Sequence, residues 1–149
     1  MLPSEIRELI LAEHRKVEPL LDAVEDCARL VLIGRCTEND LRARAHEMEQ
    51  VLDELLEEER RMLQPELLQV DAWGEVRAQQ LDLSHRQRRA LLASTRQAAD
   101  SGVVGPRQLA ERLLHTVEAI REDMRQEERQ FLSPDLLRDD LVVAAQSDG

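Results

Sequence analysis

Two copies of one short motif decide how this chain folds. Residues 58–65 read EERRMLQP, and residues 127–134, sixty-nine positions later, read EERQFLSP. An offset of seventy-one positions carries His14 onto His85. A pair of helices that occurs twice with matching His and Glu positions is one way for a bundle to build a two-fold site at its centre. We therefore predict an all-α, up-down-up-down four-helix bundle built from two repeated helical hairpins.

The composition agrees with a helical protein. Trp73 and Phe131 are the only aromatic residues of the 149, and the chain is rich in Leu, Ala, Glu and Arg. This composition favours helical packing over a β-sandwich or barrel. A chain of this length can bury a core without disulfides or a structural metal. We predict a single domain over residues 1–149, with a flexible tail at 139–149, where the sequence shows little pattern.

Apolar residues at helical spacing place four helices along the chain. The predicted helices span residues 4–34, 37–65, 71–102 and 105–134. Pro19 interrupts the first helix and predicts a bend near residues 15–18, while Pro65 predicts an end or a kink of the second. Thr37 provides an N-cap for the second helix, and Pro106 fits the first turn of the fourth.

The net charge is −11, from 20 basic and 31 acidic residues. Such a charge repels nucleic acids and anionic lipids and favours cations as small partners. We therefore expect a metal ion as partner and expect binding to neither nucleic acids nor membranes. The sequence does not indicate a protein partner.

Cys27 and Cys36 lack CxxC spacing, so we expect thiols rather than a disulfide. No apolar stretch approaches twenty residues, and we expect a cytoplasmic protein.

Each predicted helix places one polar residue on its apolar face. Glu59 lies four residues after Leu55, and Glu128 lies four residues after Met124, so both are predicted to point into the core. Glu58 and Glu127 are predicted to lie at the edges of these faces. By the same spacing rule, the inward residues of the first and third helices are His14 and His85.

Two buried carboxylates need compensation, because isolated buried charges are costly. A divalent ion of iron, manganese or zinc, held by His14, Glu59, His85 and Glu128, would provide it. Alternatively, Arg88 and Arg121, which are also predicted to face inward, can form ion pairs with the carboxylates without any metal. Residue type and spacing leave both alternatives open. His46 and His115, each three residues before a Glu, are predicted to lie on the outer surface.

The chain resembles the bacterial hemerythrin-like proteins, also called HHE cation-binding domains. The resemblance covers residues 4–138 and is carried by AEHRK at 12–16, the EERxxLxP strings, and WGEVR at 73–77 before His85. It implies a non-haem di-iron bundle with ligands at His14, Glu59, His85 and Glu128. In that family a His lies four residues before each bridging carboxylate, where this chain has Leu55 and Met124.

With this reduced ligand set, the predicted function is binding of iron, as one ion or a weakly held pair, with zinc or manganese as alternatives. The expected role is sensing, storage or oxidant response. The alternative is a metal-free interaction or regulatory module in which arginines pair with the core carboxylates. No Ser-His-Asp set, Gly-rich phosphate loop or Cys-metal motif occurs, and binding is predicted rather than catalysis.

Overall fold

The protein folds as an all-α four-helix bundle in a computed structural model that describes residues 1–140. Helix α1 spans Pro3–Leu32, α2 Glu38–Val70, α3 Gly74–Asp100 and α4 Pro106–Phe131. Each helix packs against its neighbour in sequence, and α1 closes the ring against α4. Short connections make successive helices antiparallel, which confirms the predicted fold class.

The helix starts follow from local sequence. The Thr37 side chain accepts a hydrogen bond from the backbone N–H of Asp40 and caps α2, as predicted. Pro106 occupies the first turn of α4, where its missing N–H costs no helical hydrogen bond. Gly74 begins α3 tightly against the end of α2, where an added Cβ would lie 2.8 Å from the Leu68 carbonyl oxygen. A side chain at this position would therefore force the two helices apart.

The two internal prolines do not end their helices. Helix α2 continues past Pro65 to Val70, so an end of the helix at Pro65 is excluded. Helix α1 is likewise continuous through Pro19, and the bend near residues 15–18 stays a prediction. A proline removes one backbone hydrogen bond, but buried residues on both sides, such as Val17 and Leu21, keep these turns packed in the bundle.

The apolar core is divided into two clusters along the bundle. The larger cluster contains Val17, Leu55, Leu92 and Met124, and the smaller contains Ile6, Ile10, Leu63, Leu67, Leu81, Phe131, Leu132 and Leu137. On every helix, the switch from one cluster to the other falls at a polar buried residue. The candidate site is therefore a polar layer enclosed by apolar side chains on both sides.

The end of the described chain is attached to the start of α1. The Asp139 carboxylate accepts hydrogen bonds from the backbone N–H of Ser4, at 3.0 Å, and from its hydroxyl, at 2.7 Å. The flexible tail at 139–149 stays a prediction, and residues 141–149 lie outside the described residues. No helix among residues 1–140 is both long and apolar enough to cross a membrane.

Candidate metal centre

Five charged or titratable side chains form the polar layer. They come from all four helices, and each is at most 4% exposed: His14 from α1, Glu59 from α2, His85 and Arg88 from α3, and Glu127 from α4. His14, Glu59 and His85 converge in the core, as the sequence predicts. Arg88 is fully buried, at 0% exposure, so its predicted inward orientation is confirmed as well.

The two carboxylates each face both histidines. Glu59 places Oε1 2.7 Å from His14 Nε2 and Oε2 2.9 Å from His85 Nε2. Glu127 repeats this pattern at longer range, with Oε1 3.7 Å from His14 Nε2 and Oε2 3.7 Å from His85 Nε2. The layer thus has two halves, one at each histidine, and each half receives one oxygen from each carboxylate.

Arg88 makes the two halves unequal. Its Nη2 lies 3.0 Å from Glu127 Oε2, on the His85 side. Arg88 follows His85 by three residues, and the residue three after His14 is Val17. The His85 half therefore contains a permanent positive charge where the His14 half contains an apolar side chain.

The His14 half contains an unpaired acceptor. Among the described residues, Glu127 Oε1 is buried without a hydrogen-bond partner. His14, Glu59 and Glu127 can each offer one ligand atom, and these atoms lie within 4.8 Å of one another. A buried acceptor without a donor is costly, and a cation between these three groups would remove that cost. This group can therefore hold a metal ion.

Glu128 contacts His14 from outside the layer. Its Oε1 lies 3.1 Å from His14 Nδ1, and its side chain is 39% exposed. With Nδ1 facing this carboxylate, Nε2 faces Glu59 and Glu127. Metal-binding histidines commonly donate their second ring N–H to a carboxylate, which fixes the ring orientation. Glu128 is thus placed to orient His14.

The prediction that Glu128 points into the core and Glu127 lies at its edge is wrong. Buried positions of α4 alternate in steps of four and three, through Ile120, Met124, Glu127 and Phe131. Alternating steps of four and three average to about the 3.6 residues of a helical turn, so these residues stay on one face. Two successive steps of four, from Ile120 through Met124 to Glu128, move the last residue away from that face. Helix α4 also ends at Phe131, so Leu132 of the second EERxxLxP string lies outside the helix.

The buried positions of the two repeated helices also match Glu59 with Glu127. Buried residues of α2 and α4 correspond at an offset of sixty-eight positions: Leu41 with Leu109, Ala45 with Leu113, Leu52 with Ile120, Leu56 with Met124, Glu59 with Glu127 and Leu63 with Phe131. The identical letters at an offset of sixty-nine align Glu59 with the wrong carboxylate. The position four before the buried carboxylate of α4 is consequently Asp123 rather than Met124.

Arg121 does not serve the core carboxylates. Its guanidinium pairs with Glu18, Asp22 and Glu25 on the outer side of the α1–α4 contact. The prediction that it faces inward is wrong, because it follows the buried Ile120 directly and is rotated by about 100° from it. Of the two predicted arginines, Arg88 alone reaches the layer.

His46 and His115 lie on the outer surface, as predicted. The His46 side chain is 49% exposed and contacts Asp100 at 3.0 Å, and His115 is exposed. Glu49 is buried at 9% exposure and pairs with Arg96 at the α2–α3 surface. These groups lie apart from the polar layer.

The electrostatics of the layer favour charged histidines when no metal is present. Burial alone would lower the pKa of His14, but the attraction of Glu127 and Glu59 outweighs it and raises the pKa to about 10. The pKa of His85 is raised by the same two carboxylates against its burial. Burial and the charge of Glu127 raise the pKa of Glu59. Burial would also raise the pKa of Glu127, but the contacts with His14, His85, Glu59 and Arg88 outweigh it and hold this pKa well below its usual range.

The raised pKa of His14 predicts a pH-dependent stability of the metal-free protein. A group whose pKa is higher in the folded state stabilises the fold fully below its unfolded value of 6.5, and this stabilisation is lost as the pH rises through about 10. Urea denaturation with chelator present should therefore give a free energy of unfolding that falls from pH 7 to pH 10. His14→Gln should flatten this dependence, whereas the surface control His46→Gln should not. An unchanged slope in His14→Gln would contradict the paired, charged state of His14.

Comparison with protein-family models, with curated proteins and with solved structures found no match to this chain.

Proposed function

We propose that this protein binds one divalent transition-metal ion, iron(II) in the first place, through His14, Glu59 and Glu127. The observation that carries the proposal is the unpaired, buried Oε1 of Glu127 beside two other ligand atoms. The resemblance to hemerythrin-like proteins supports iron and a role in sensing, storage or oxidant response. Manganese and zinc are the alternatives that the same ligands accept.

The donor set suits these metals. One imidazole nitrogen and two carboxylate oxygens match iron(II), manganese(II) and zinc(II) better than a soft ion such as copper(I), which prefers sulfur. Ligand bonds to such ions are about 2.0–2.2 Å long, so ligand atoms around one ion lie roughly 3 Å apart. His14 Nε2 lies 2.7 Å from Glu59 and 3.7 Å from Glu127. Small side-chain rotations would therefore bring the three atoms to bonding distance.

The unequal halves favour a single ion over a pair. The guanidinium of Arg88 already neutralises Glu127 Oε2 in the His85 half. A cation placed there would face this positive charge at short range, in surroundings of low dielectric constant. In the His14 half, Val17 takes the equivalent position and brings no charge. The proposed metal therefore lies at His14, and Arg88 replaces a second ion.

Metal binding at this site must displace protons. Only a neutral imidazole can bind a metal, yet the pKa of His14 is raised to about 10 in the metal-free protein. Binding at neutral pH therefore releases the His14 proton, and the affinity falls as the pH decreases. The metal takes over the role of the imidazolium as the positive partner of Glu59 and Glu127.

A second candidate function is the metal-free interaction or regulatory module. The Arg88–Glu127 contact at 3.0 Å favours it, together with two histidines that can both carry charge. Against it, Arg88 makes one hydrogen bond among the described residues. Its Nη1 and Nε have no hydrogen-bond partner there, and Nε reaches only the partly exposed Asp123, at 3.8 Å. Arg88 therefore does not neutralise the whole layer, and this candidate depends on protonated His14 and His85.

Elemental analysis and metal titration test the proposal. Protein purified without added metal is analysed, stripped with chelator, and titrated calorimetrically with Fe²⁺, Mn²⁺ and Zn²⁺ under anaerobic, reducing conditions. We expect one ion per chain, with an affinity that falls on the order of 100-fold in His14→Gln and is unchanged in His46→Gln. A wild-type protein that shows no binding heat and no change in melting temperature with any of these ions would leave the metal-free module as the function.

A further inference from the structure

The two cysteines of the chain contact each other at the C-terminal end of α1. Cys27 is buried on α1, and Cys36 is half-buried in the turn before α2. Their Sγ atoms are 3.2 Å apart. A disulfide bond is about 2.05 Å long, so a shift on the order of 1 Å would join the two sulfurs. Sequence spacing alone did not reveal this contact.

The turn that ends α1 creates the contact. The N–H of Gly34 bonds to the Val31 carbonyl and the N–H of Arg35 to the Leu30 carbonyl, which is the Schellman arrangement. Gly34 has a φ of 73°, in the left-handed region that glycine adopts at low cost. The chain therefore reverses sharply, and Cys36 is placed over the last turns of α1 before Thr37 caps α2.

The two thiols differ in their surroundings. Both line an open groove with Asp26, Asp40 and Arg44. Burial and the contact with Cys36 raise the pKa of Cys27 to about 11, so Cys27 stays protonated at neutral pH. Cys36 is the more exposed of the two and is accessible to a small oxidant from the groove.

We propose that Cys27 and Cys36 form a reversible, peroxide-sensitive dithiol–disulfide site. The Cys36 thiolate attacks one oxygen of hydrogen peroxide, the O–O bond breaks, and the departing hydroxide takes a proton to become water. The resulting Cys36 sulfenic acid lies against Cys27. The Cys27 sulfur then attacks the Cys36 sulfur, the S–O bond breaks, and a second water leaves with the Cys27 proton. Two thiols are oxidised and one peroxide is reduced, and a dithiol reductant reverses the change.

This site is separate from the polar layer. Cys27 follows His14 by thirteen residues on one continuous helix, a distance of about 20 Å along its axis. Oxidation of the thiols therefore requires no metal. A failure of metal binding would leave this proposal intact, and the reverse also holds.

Thiol counting and peptide mapping test the site on the full-length, chelator-treated protein. After exposure to equimolar hydrogen peroxide, we expect both free thiols to disappear, a peptide cross-link between Cys27 and Cys36, and full recovery with dithiothreitol. In Cys27→Ser, a dimedone-trapped sulfenic acid should accumulate at Cys36. In Cys36→Ser, Cys27 should stay reduced under the same exposure.

The wild-type result is decisive by itself, because it requires no substitution. Retention of both thiols in the wild type after this exposure would overturn the proposal. Formation of intermolecular dimers alone, or direct oxidation of Cys36 to sulfinic acid without a cross-link, would overturn it as well.

Discussion

Replacing Arg88 with valine is expected to lower the free energy of unfolding of the metal-free protein by about 3–5 kcal/mol, because the buried Glu127 loses its permanent cation. The pair is completely enclosed, with Arg88 at 0% and Glu127 at 2% exposure. Removing one member leaves the other charge without its partner in surroundings that solvate it poorly. The remaining histidines can compensate only in part, since each already faces both carboxylates.

Urea denaturation of chelator-treated protein measures this effect, and Arg89→Val provides the matched control. Arg89 lies next in sequence on α3, is 44% exposed and pairs with Glu57 at 3.4 Å. Both variants introduce the same β-branched residue into the same helix, so their helix-propensity costs are alike. The control should change stability by less than about 1 kcal/mol. Equal effects of the two substitutions would show that the Arg88–Glu127 pair does not contribute to the free energy of unfolding.

The same variant tests why the two halves of the site differ. Valine at position 88 copies Val17, the residue three after His14, and so removes the charge that distinguishes the two halves. If Arg88 takes the place of a second ion, Arg88→Val should bind two ions per chain at saturation where the wild type binds one. Elemental analysis after gel filtration counts them. One ion in both proteins would mean that the His85 half lacks the geometry for a metal even without the guanidinium.

The bundle could be predicted from the sequence because the apolar spacing indicates four helices and the composition favours helical packing. His14 and Glu59 were also predictable, because each lies between apolar residues three or four positions away on one helix, and His85 was predictable because it lies four residues after Leu81 and seven before Leu92. Such local spacing is a property of a single helix and requires no knowledge of its neighbours. Arg88 was found by the same rule, but its choice of Glu127 as partner depends on how α3 packs against α4.

The carboxylate of α4 was predicted wrongly because Glu128 lies four residues after Met124 and matches Glu59 in the repeated EER letters, whereas the buried positions match Glu59 with Glu127. The signal that identifies it was present in the sequence: Leu52 and Ile120, Leu63 and Phe131 define an offset of sixty-eight, which pairs Glu59 with Glu127. A shift of one residue rotates a helical side chain by about 100°, enough to exchange core for surface.

The contact between the two cysteines depends on a different kind of information. It arises from the turn at Gly34, where the chain reverses and places Cys36 beside Cys27. The apolar spacing predicts where α1 lies, but it does not predict the path of the turn that follows α1. A glycine after the last apolar residue indicates that a helix stops, but the direction of the chain after it is set by packing against α2.

The two adjacent glutamates of α4 provide the sharpest test of the proposed metal site. Glu127→Gln should lower the affinity for Fe²⁺ by at least ~100-fold, because it removes a charged ligand from a site where even supporting contacts are worth 10–100-fold. Glu128→Gln should lower it by about 10-fold, since Glu128 contacts only the outer nitrogen of His14, at 3.1 Å. The two variants differ by one position in the chain, and both keep the shape of the side chain while removing the same charge.

Anaerobic calorimetry gives the affinities, and thermal melting provides an independent measurement. Metal at 100 times its dissociation constant should stabilise the wild type by ~2.7 kcal/mol and raise its melting temperature. At the same metal concentration, Glu128→Gln should keep most of this rise, and Glu127→Gln should show almost none. Circular dichroism confirms that each variant is helical before the titration. If Glu128→Gln loses the metal while Glu127→Gln keeps it, the ion lies on the outer side of His14, and the polar layer is a network of histidines, carboxylates and Arg88 without a metal.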